Sequence, residues 1–250
     1  MAHVTCDPPA PAVTNLASRT GPRELVKAAA RLAALVVVSP FLLWHWLWAL
    51  LIGPDRALEG SSEALSLLPG LAGQYLRRAF LAWTLAECHP TAVIGFGVLF
   101  SKTGARVGPN VYIGPRCHIG LAHIGRDALL AAGVYLTSGA RTHGIDDLSR
   151  PIREQIGATA VVQIGAGAWI GSAAVVMADV GRDTVVGAGA VVTQALPEGV
   201  VAAGVPARVV RQRGAEIASQ DRTISIQPEA ALGEAIPAEP QRASIGSEVE

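Results

Sequence analysis

Residues 107–136 read VGPNVYIGPRCHIGLAHIGRDALLAAGVYL, and their rhythm decides the fold. Val107, Ile113, Ile119, Ile124, Leu130 and Leu136 follow one another at steps of 6, 6, 5, 6 and 6. Further along, Ile164, Ile170, Val176, Val180, Val186 and Val192 step by 6, 6, 4, 6 and 6, and an Ile-Gly pair at 94 opens the series. A glycine follows most of these heads. A small residue often sits four places after one: Val111, Cys117, Ala128, Val134, Ala168, Ala174, Thr184 and Ala190.

Six residues make one short strand and one corner. Three such units close a triangular coil, with each aliphatic head pointing inward and stacking on its counterparts at the strand spacing of ~4.8 Å. The glycine after the head is expected to supply a turn free of a Cβ penalty. A helix is excluded, because a six-residue period keeps no apolar stripe on a 3.6-residue turn. The steps of 5 and 4 predict tight or bulged corners near Leu121–His123 and Ala178–Asp179. The gap from Leu136 to Ile164 breaks the rhythm. Its core, THGIDDLSRPIREQIGATA (142–160), is polar and contains Pro151, so it is expected to be a loop thrown out from the prism. Long loops on rigid repeats usually carry function.

Composition agrees with a solenoid of small residues. Of the 250 residues 27 are Gly, half are apolar and only 5% are aromatic. Lys+Arg and Asp+Glu both number 20, so a nucleic-acid partner held by bulk basicity is excluded. Cys6, Cys88 and Cys117 are too few and scattered for a disulfide framework or a cysteine metal site. A reducing compartment is the default.

Around the prism, expected over 91–212, composition divides the chain further. Residues 1–24 are polar and read as a flexible N-terminus. Residues 25–90 read as an apolar and amphipathic helical segment. Residues 213–250, rich in Ala, Glu, Ser, Gln and Pro, read as a disordered tail. Residues 32–52, LAALVVVSPFLLWHWLWALLI, carry no Asp, Glu, Lys or Arg, and are long enough to span a bilayer. Arg23, Lys27 and Arg31 precede them, which places the N-terminal flank on the cytoplasmic side. A simple span would put the prism outside. The expectation is therefore a broken or surface-lying helix that enters the inner leaflet and returns, with Pro40 supplying the break. A second, amphipathic helix over 71–88 would then meet headgroups through Arg77 and Arg78. The alternative is a soluble helix pair packed under the prism.

The ordered motifs resemble the hexapeptide-repeat acetyltransferases. The match is carried by Thr137-Ser138-Gly139 before His143, Pro151-Ile152 with Gln155, Ile164-Gly165 leading to Trp169-Ile170-Gly171, Val186-Gly187-Ala188-Gly189, and Gly204-Val205-Pro206-Ala207-Arg208. The apolar start and the loop look like the O-acetyltransferases of surface polysaccharides. The resemblance implies a left-handed parallel β-helix, acetyl-CoA as donor, no metal, and a homotrimer with sites between neighbouring prisms. It implies acetyl transfer to a sugar hydroxyl of a surface glycan or its lipid-linked precursor, at the cytoplasmic face of the membrane. A small-molecule acceptor, such as an antibiotic or serine, is the alternative.

Such a transfer needs a base to take the hydroxyl proton, and imidazole titrates in the right range. The resemblance gives this role to His143, with Asp146, Asp147 and Glu154 as nearby groups able to orient it. By the same resemblance Gly171, Ser172, Ala188 and Thr193 line the pantetheine arm and Arg211 meets the CoA phosphates. Arg208 is a weaker match for the last role, and Trp169 lies in the same region. A rival reading joins His118 and His123, spaced as in the γ-class carbonic anhydrases, with His89 as a third zinc ligand. A third reading is a catalytically silent scaffold.

Overall fold

The computed structural model describes residues 21–214, with backbone alone for residues 22–24. Most of the expected flexible N-terminus (1–24) and of the expected tail (213–250) lies outside the described residues. Three helices, α1 (Pro22–Ile52), α2 (Pro54–Ser66) and α3 (Gly70–Thr84), precede a three-sided parallel β-helix.

Three sheets of four, seven and five strands form its sides. Cys88, Val107, Ile124 and Ile164 stack on the first side, and single bridges extend it to Val180 and Leu196. Ile94, Ile113, Leu130, Ile170, Val186 and Ala202 stack on the second. Phe100, Ile119, Leu136, Val176 and Val192 stack on the third. Every head named from the sequence is buried, and so is every small residue four places on. Burying one such aliphatic side chain contributes roughly 1.5–3 kcal/mol, so the ladder is the main source of stability. Cys88 and Phe100 are additional heads in the first coil.

The glycines after the heads do a different job from the one expected. Their φ values are ordinary. At most corners leaving the first and second sides the left-handed position falls three places after the head, at residues such as Asn110, Arg116, Asp127, Ala173 and Asp183, where φ is 54–57°. The glycine after the head lets one coil lie close on the next. A Cβ on Gly171 would stand 2.7 Å from the Gly187 carbonyl carbon and from the Val186 carbonyl oxygen.

Both ends of the solenoid would leave strand edges unpaired, and both are covered. At the far end the strand Arg208–Gln212 folds back antiparallel on Val200–Ala203. At the near end α2 and α3 do the covering. The Ser62 hydroxyl donates to the Phe100 carbonyl and accepts from the Phe100 amide, both at 3.2 Å. The Gly97 amide donates to the Ser66 carbonyl at 3.0 Å. Asp55 accepts from the Thr103 amide and hydroxyl, each at 2.9 Å, and pairs with Lys102 at 3.0 Å. Burial alone would raise its carboxyl pKa, but these donors hold it below the usual value.

Two expectations about the helices are corrected. Arg77 does not reach headgroups. It is buried and donates to the carbonyls of Ile94 (3.3 Å), Leu65 (3.2 Å) and Leu68 (2.6 Å), fastening α3 to the prism. Arg78 is buried as well, and α1 and α3, the helix pair of the alternative reading, pack on each other and on α2. Pro40 does not break α1. A proline leaves the carbonyl four residues earlier without its N–H donor. That carbonyl belongs to Val36, and the Ser39 hydroxyl donates to it at 2.8 Å. The chain turns instead at Gly53, whose φ is 90°. Ala34, Val38, Leu42 and His45 bury one stripe of α1, while Leu32, Val36, Val37, Leu43, Leu47 and Leu50 are exposed on its other side. Residues Leu25–Ile52 are long and apolar enough to cross a membrane.

Candidate active site

The loop leaves the prism at the corner after the strand Tyr135–Leu136 and returns at Val162–Ile164. Its exit is braced. The Thr137 hydroxyl donates to the Gly139 carbonyl at 2.9 Å, and the buried Ser138 hydroxyl accepts from the Leu121 amide at 2.9 Å. The Ala160 amide closes the base by donating to the Ser138 carbonyl at 2.8 Å, and the Ala158 amide donates to the Arg141 carbonyl at 2.7 Å.

His143 sits just beyond this base, in an antiparallel bridge with Ile156. Gly157 fixes the local approach, since a Cβ there would collide with the Thr142 carbonyl and the His143 nitrogen. The imidazole is exposed, and no hydrogen bond to it is found among the described residues. Two of the three loop carboxylates serve the loop itself, and Asp146 is exposed. Asp147 accepts from the Ser149 amide (2.9 Å) and hydroxyl (2.6 Å), which holds its carboxyl pKa below the usual range. Glu154 faces Arg153 at 3.6 Å. Gln155 is the organising residue: its amide nitrogen donates to the carbonyls of Asp147 (2.7 Å) and Arg150 (2.9 Å), and its oxygen accepts from the Asp147 amide (3.1 Å). The sequence signal for Gly157 was only a glycine in a polar run; for Gln155 it was the family motif.

Four of the five expected donor-site residues fall on the two corners that flank the third side. Gly171 and Ser172 form one corner in one coil, and Ala188 stands on the same corner in the next, where the Gly189 amide donates to the Ser172 carbonyl at 2.8 Å. Gly171 is buried, whereas Ser172 and Ala188 are exposed. Thr193 stands on the other corner, the one from which the His143 loop departs two coils earlier. Arg211 lies on the terminal strand opposite Val201 on the second side, exposed. Trp169 points outward from the second side and is 51% exposed. The short step from Val176 to Val180 is locked by the Asp179 carboxylate accepting from the Gln163 amide at 2.8 Å.

The three histidines of the zinc reading do not converge within one chain. His118 lies on the third side, its ring stacked on Tyr135 at 6.0 Å. His123 lies on the first side beside Gln163, and burial followed by the Arg106 charge lowers its pKa. His89 contacts the Thr91 hydroxyl at 2.8 Å.

Comparison with known proteins agrees with this architecture. A family model described as the hexapeptide repeat of succinyl-transferase matches residues 104–138 and 161–194. The chain is 31% identical to galactoside O-acetyltransferase of Escherichia coli (strain K12) over 168 residues, 57% of this chain and 81% of that protein. It is 35% identical over 127 residues to WbbJ of the same strain, whose name assigns it to O-acetyl transfer in lipopolysaccharide biosynthesis. That match covers 47% of this chain and 62% of WbbJ. Serine acetyltransferase of Salmonella typhimurium is 31% identical over 74% of this chain, which spans about half (53%) of that protein. A maltose O-acetyltransferase from Clostridium difficile shares the fold, with a TM-score of 0.53 at 22% identity over 64% of this chain and 88% of that one. With its repeats, its loop and these relatives, the chain belongs to the hexapeptide-repeat acetyltransferases.

Proposed function

We propose that the protein moves acetyl from acetyl-CoA to a sugar hydroxyl of a surface glycan or its lipid-linked precursor. The observation that carries this reading is His143, held by its backbone at a braced loop base, with an exposed imidazole that no side chain of the loop engages. In this reading the imidazole takes the proton of the acceptor hydroxyl. The oxygen forms its bond to the thioester carbonyl carbon, the carbon–sulfur bond breaks, and the imidazolium returns the proton to the CoA thiolate. Ser172, Ala188 and Thr193 would border the donor along the third side, where small side chains leave the surface low, and Arg211 would meet phosphate. One relative named for O-acetyl transfer to galactosides and one named for O-acetyl transfer in lipopolysaccharide biosynthesis support a glycan acceptor. The working form is a homotrimer with sites between prisms.

The same reading places the enzyme on the cytoplasmic face of a membrane, with α1 in the interfacial plane. The middle of α1 buries Ala34, Val38 and Leu42 against the neighbouring helices, which supports lying along the surface over a span. Its opposite side offers lipid an apolar face.

The test is thiol release from acetyl-CoA with glycan acceptors and with free serine, paired with mass spectrometry of glycans from cells with and without the protein. Glycan-dependent release and one acetyl per acceptor are expected. His143→Ala should lower turnover ~10²–10⁴-fold with the fold retained. Activity within a few-fold of the original would remove His143 from the mechanism, and serine as the better acceptor would favour the small-molecule alternative.

A further inference from the structure

The inward stripe of α1 changes character along its length. Lys27, Arg31, Ala34, Val38, Leu42 and His45 step by 4, 3, 4, 4 and 3, so all six lie on one helical face. The last four are buried against the neighbouring helices. The first two instead line an open-mouthed cavity of about 410 Å³ between α1, α3 and the first coils of the prism.

A third cation completes this wall. Arg78 lines the same cavity and is only 8% exposed. It makes no hydrogen bond or ion pair among the described residues. Burial, and then the charge of Arg31, lower its pKa. A guanidinium so deeply buried without a partner is costly. Gln74 and Tyr75 add donors to the lining, and no Asp or Glu belongs to it among the residues whose side chains are described. Asn110, at the edge of the lining, donates its side-chain amide to Asp127 at 3.0 Å. Arg77, the adjacent residue on α3, shows the contrast: each of its contacts is a backbone carbonyl of the protein.

We propose that this cavity seats the phosphate or diphosphate headgroup of a membrane lipid, with Arg31 and Arg78 as its principal ligands and Lys27 at the mouth. The occupant is lipid-borne because the helix that supplies Lys27 and Arg31 turns its other side, Leu32, Val36, Leu43 and Leu47, outward as an apolar face. A phosphate in the cavity lies at headgroup level when that face meets acyl chains. This inference rests on the interfacial reading of α1 given above.

The experiment separates the two. Tryptophan emission from Trp44, Trp46 and Trp48 of the full chain is followed as vesicles are added. One set is phosphatidylcholine alone; the other contains phosphatidic acid. Binding to phosphatidylcholine reports the apolar face, and the gain with phosphatidic acid reports the cavity. The gain should be roughly tenfold or more, should vanish in Lys27→Gln/Arg31→Gln, and should persist in Arg106→Gln/Arg126→Gln, which removes exposed charge elsewhere. Inorganic pyrophosphate should compete it away beyond a chloride control of equal ionic strength. Arg78→Met should abolish the gain without lowering the melting temperature, an outcome a purely structural arginine would not give. A gain that survives Lys27→Gln/Arg31→Gln, or is lost equally in the control pair, overturns the cavity as its source. Absence of binding to phosphatidylcholine overturns the interfacial reading. Pyrophosphate protection alone, without a vesicle preference, assigns the cavity to a soluble phosphate and overturns the lipid source.

Discussion

Gly171 and Ala173 stand two residues apart at one corner and answer to opposite constraints. Gly171 has no room for a Cβ, because the next coil's Val186 carbonyl and Gly187 backbone lie against it. Ala173 has φ 57°, a conformation in which an L side chain is strained. Gly171→Ala should therefore destabilise by ~1–3 kcal/mol through overpacking. Ala173→Asn should be neutral or stabilising by up to ~1 kcal/mol, since Asn tolerates the left-handed region. Denaturant midpoints of the two variants check this pair, and a tolerated Gly171→Ala would refute the close-approach account. The repeat recorded both positions, but the sequence assigned turning to the wrong one. The glycine after each head was visible as a pattern, whereas its cause, the backbone of the adjacent coil, is a contact between distant residues. Gly157 illustrates the same limit at the candidate site: its demand comes from Thr142 and His143 across the loop.

The helices show where an element-level rule gives way to a side-chain detail. Pro40 reads as a break, and Ser39 mends it by serving the Val36 carbonyl. Asp146, Asp147 and Glu154 were legible as carboxylates near His143, but proximity in sequence did not reveal that Asp147 serves Ser149. By contrast, the prism's heads were legible because one inward side chain per strand leaves a six-residue record. Docking of α1 has its own observable. His45 is buried, its Nδ1 3.0 Å from the Ser61 hydroxyl and its ring edge-on to Phe80 at 5.0 Å. Burial lowers its pKa, with a backbone hydrogen bond to Ala57 opposing in part. A folded-state pKa below the unfolded value of ~6.5 means that protons bind better to the unfolded chain. Stability is then present above about pH 6.5 and falls as the pH drops through the folded-state pKa. The melting temperature should decline between about pH 7.5 and 5.5, and His45→Gln, which still offers Ser61 a partner, should flatten that decline. Equal slopes in the two proteins would assign the effect to other groups, such as His123.

At the scale of the molecule, the three sides of the prism differ in what they show to the outside. The first side presents Glu87, Arg106, His123 and Gln163, a polar row. The second presents Val93, Tyr112, Leu129, Trp169, Val185 and Val201, and the third Leu99, His118, Tyr135, Val175 and Val191. Tyr112, Leu129, Trp169 and Tyr135 are between 41% and 51% exposed, and rows of this kind on a lone chain mark surfaces that a partner covers. Two different apolar sides meeting a polar third fit a heterologous contact, in which one side of each prism packs on a different side of the next and the ring closes. In the proposed homotrimer such a contact would bring a neighbour to the third side, where the His143 loop and Thr193 share a corner. Trp169→Glu places a charge in the middle of the second side's row without touching the inward ladder. It should convert the proposed trimer to monomer in sedimentation, leave the β-sheet circular dichroism unchanged, and reduce acetyl transfer in parallel with assembly. A monomer that keeps full activity would show that each site is complete within one chain, and the intersubunit arrangement would have to be abandoned.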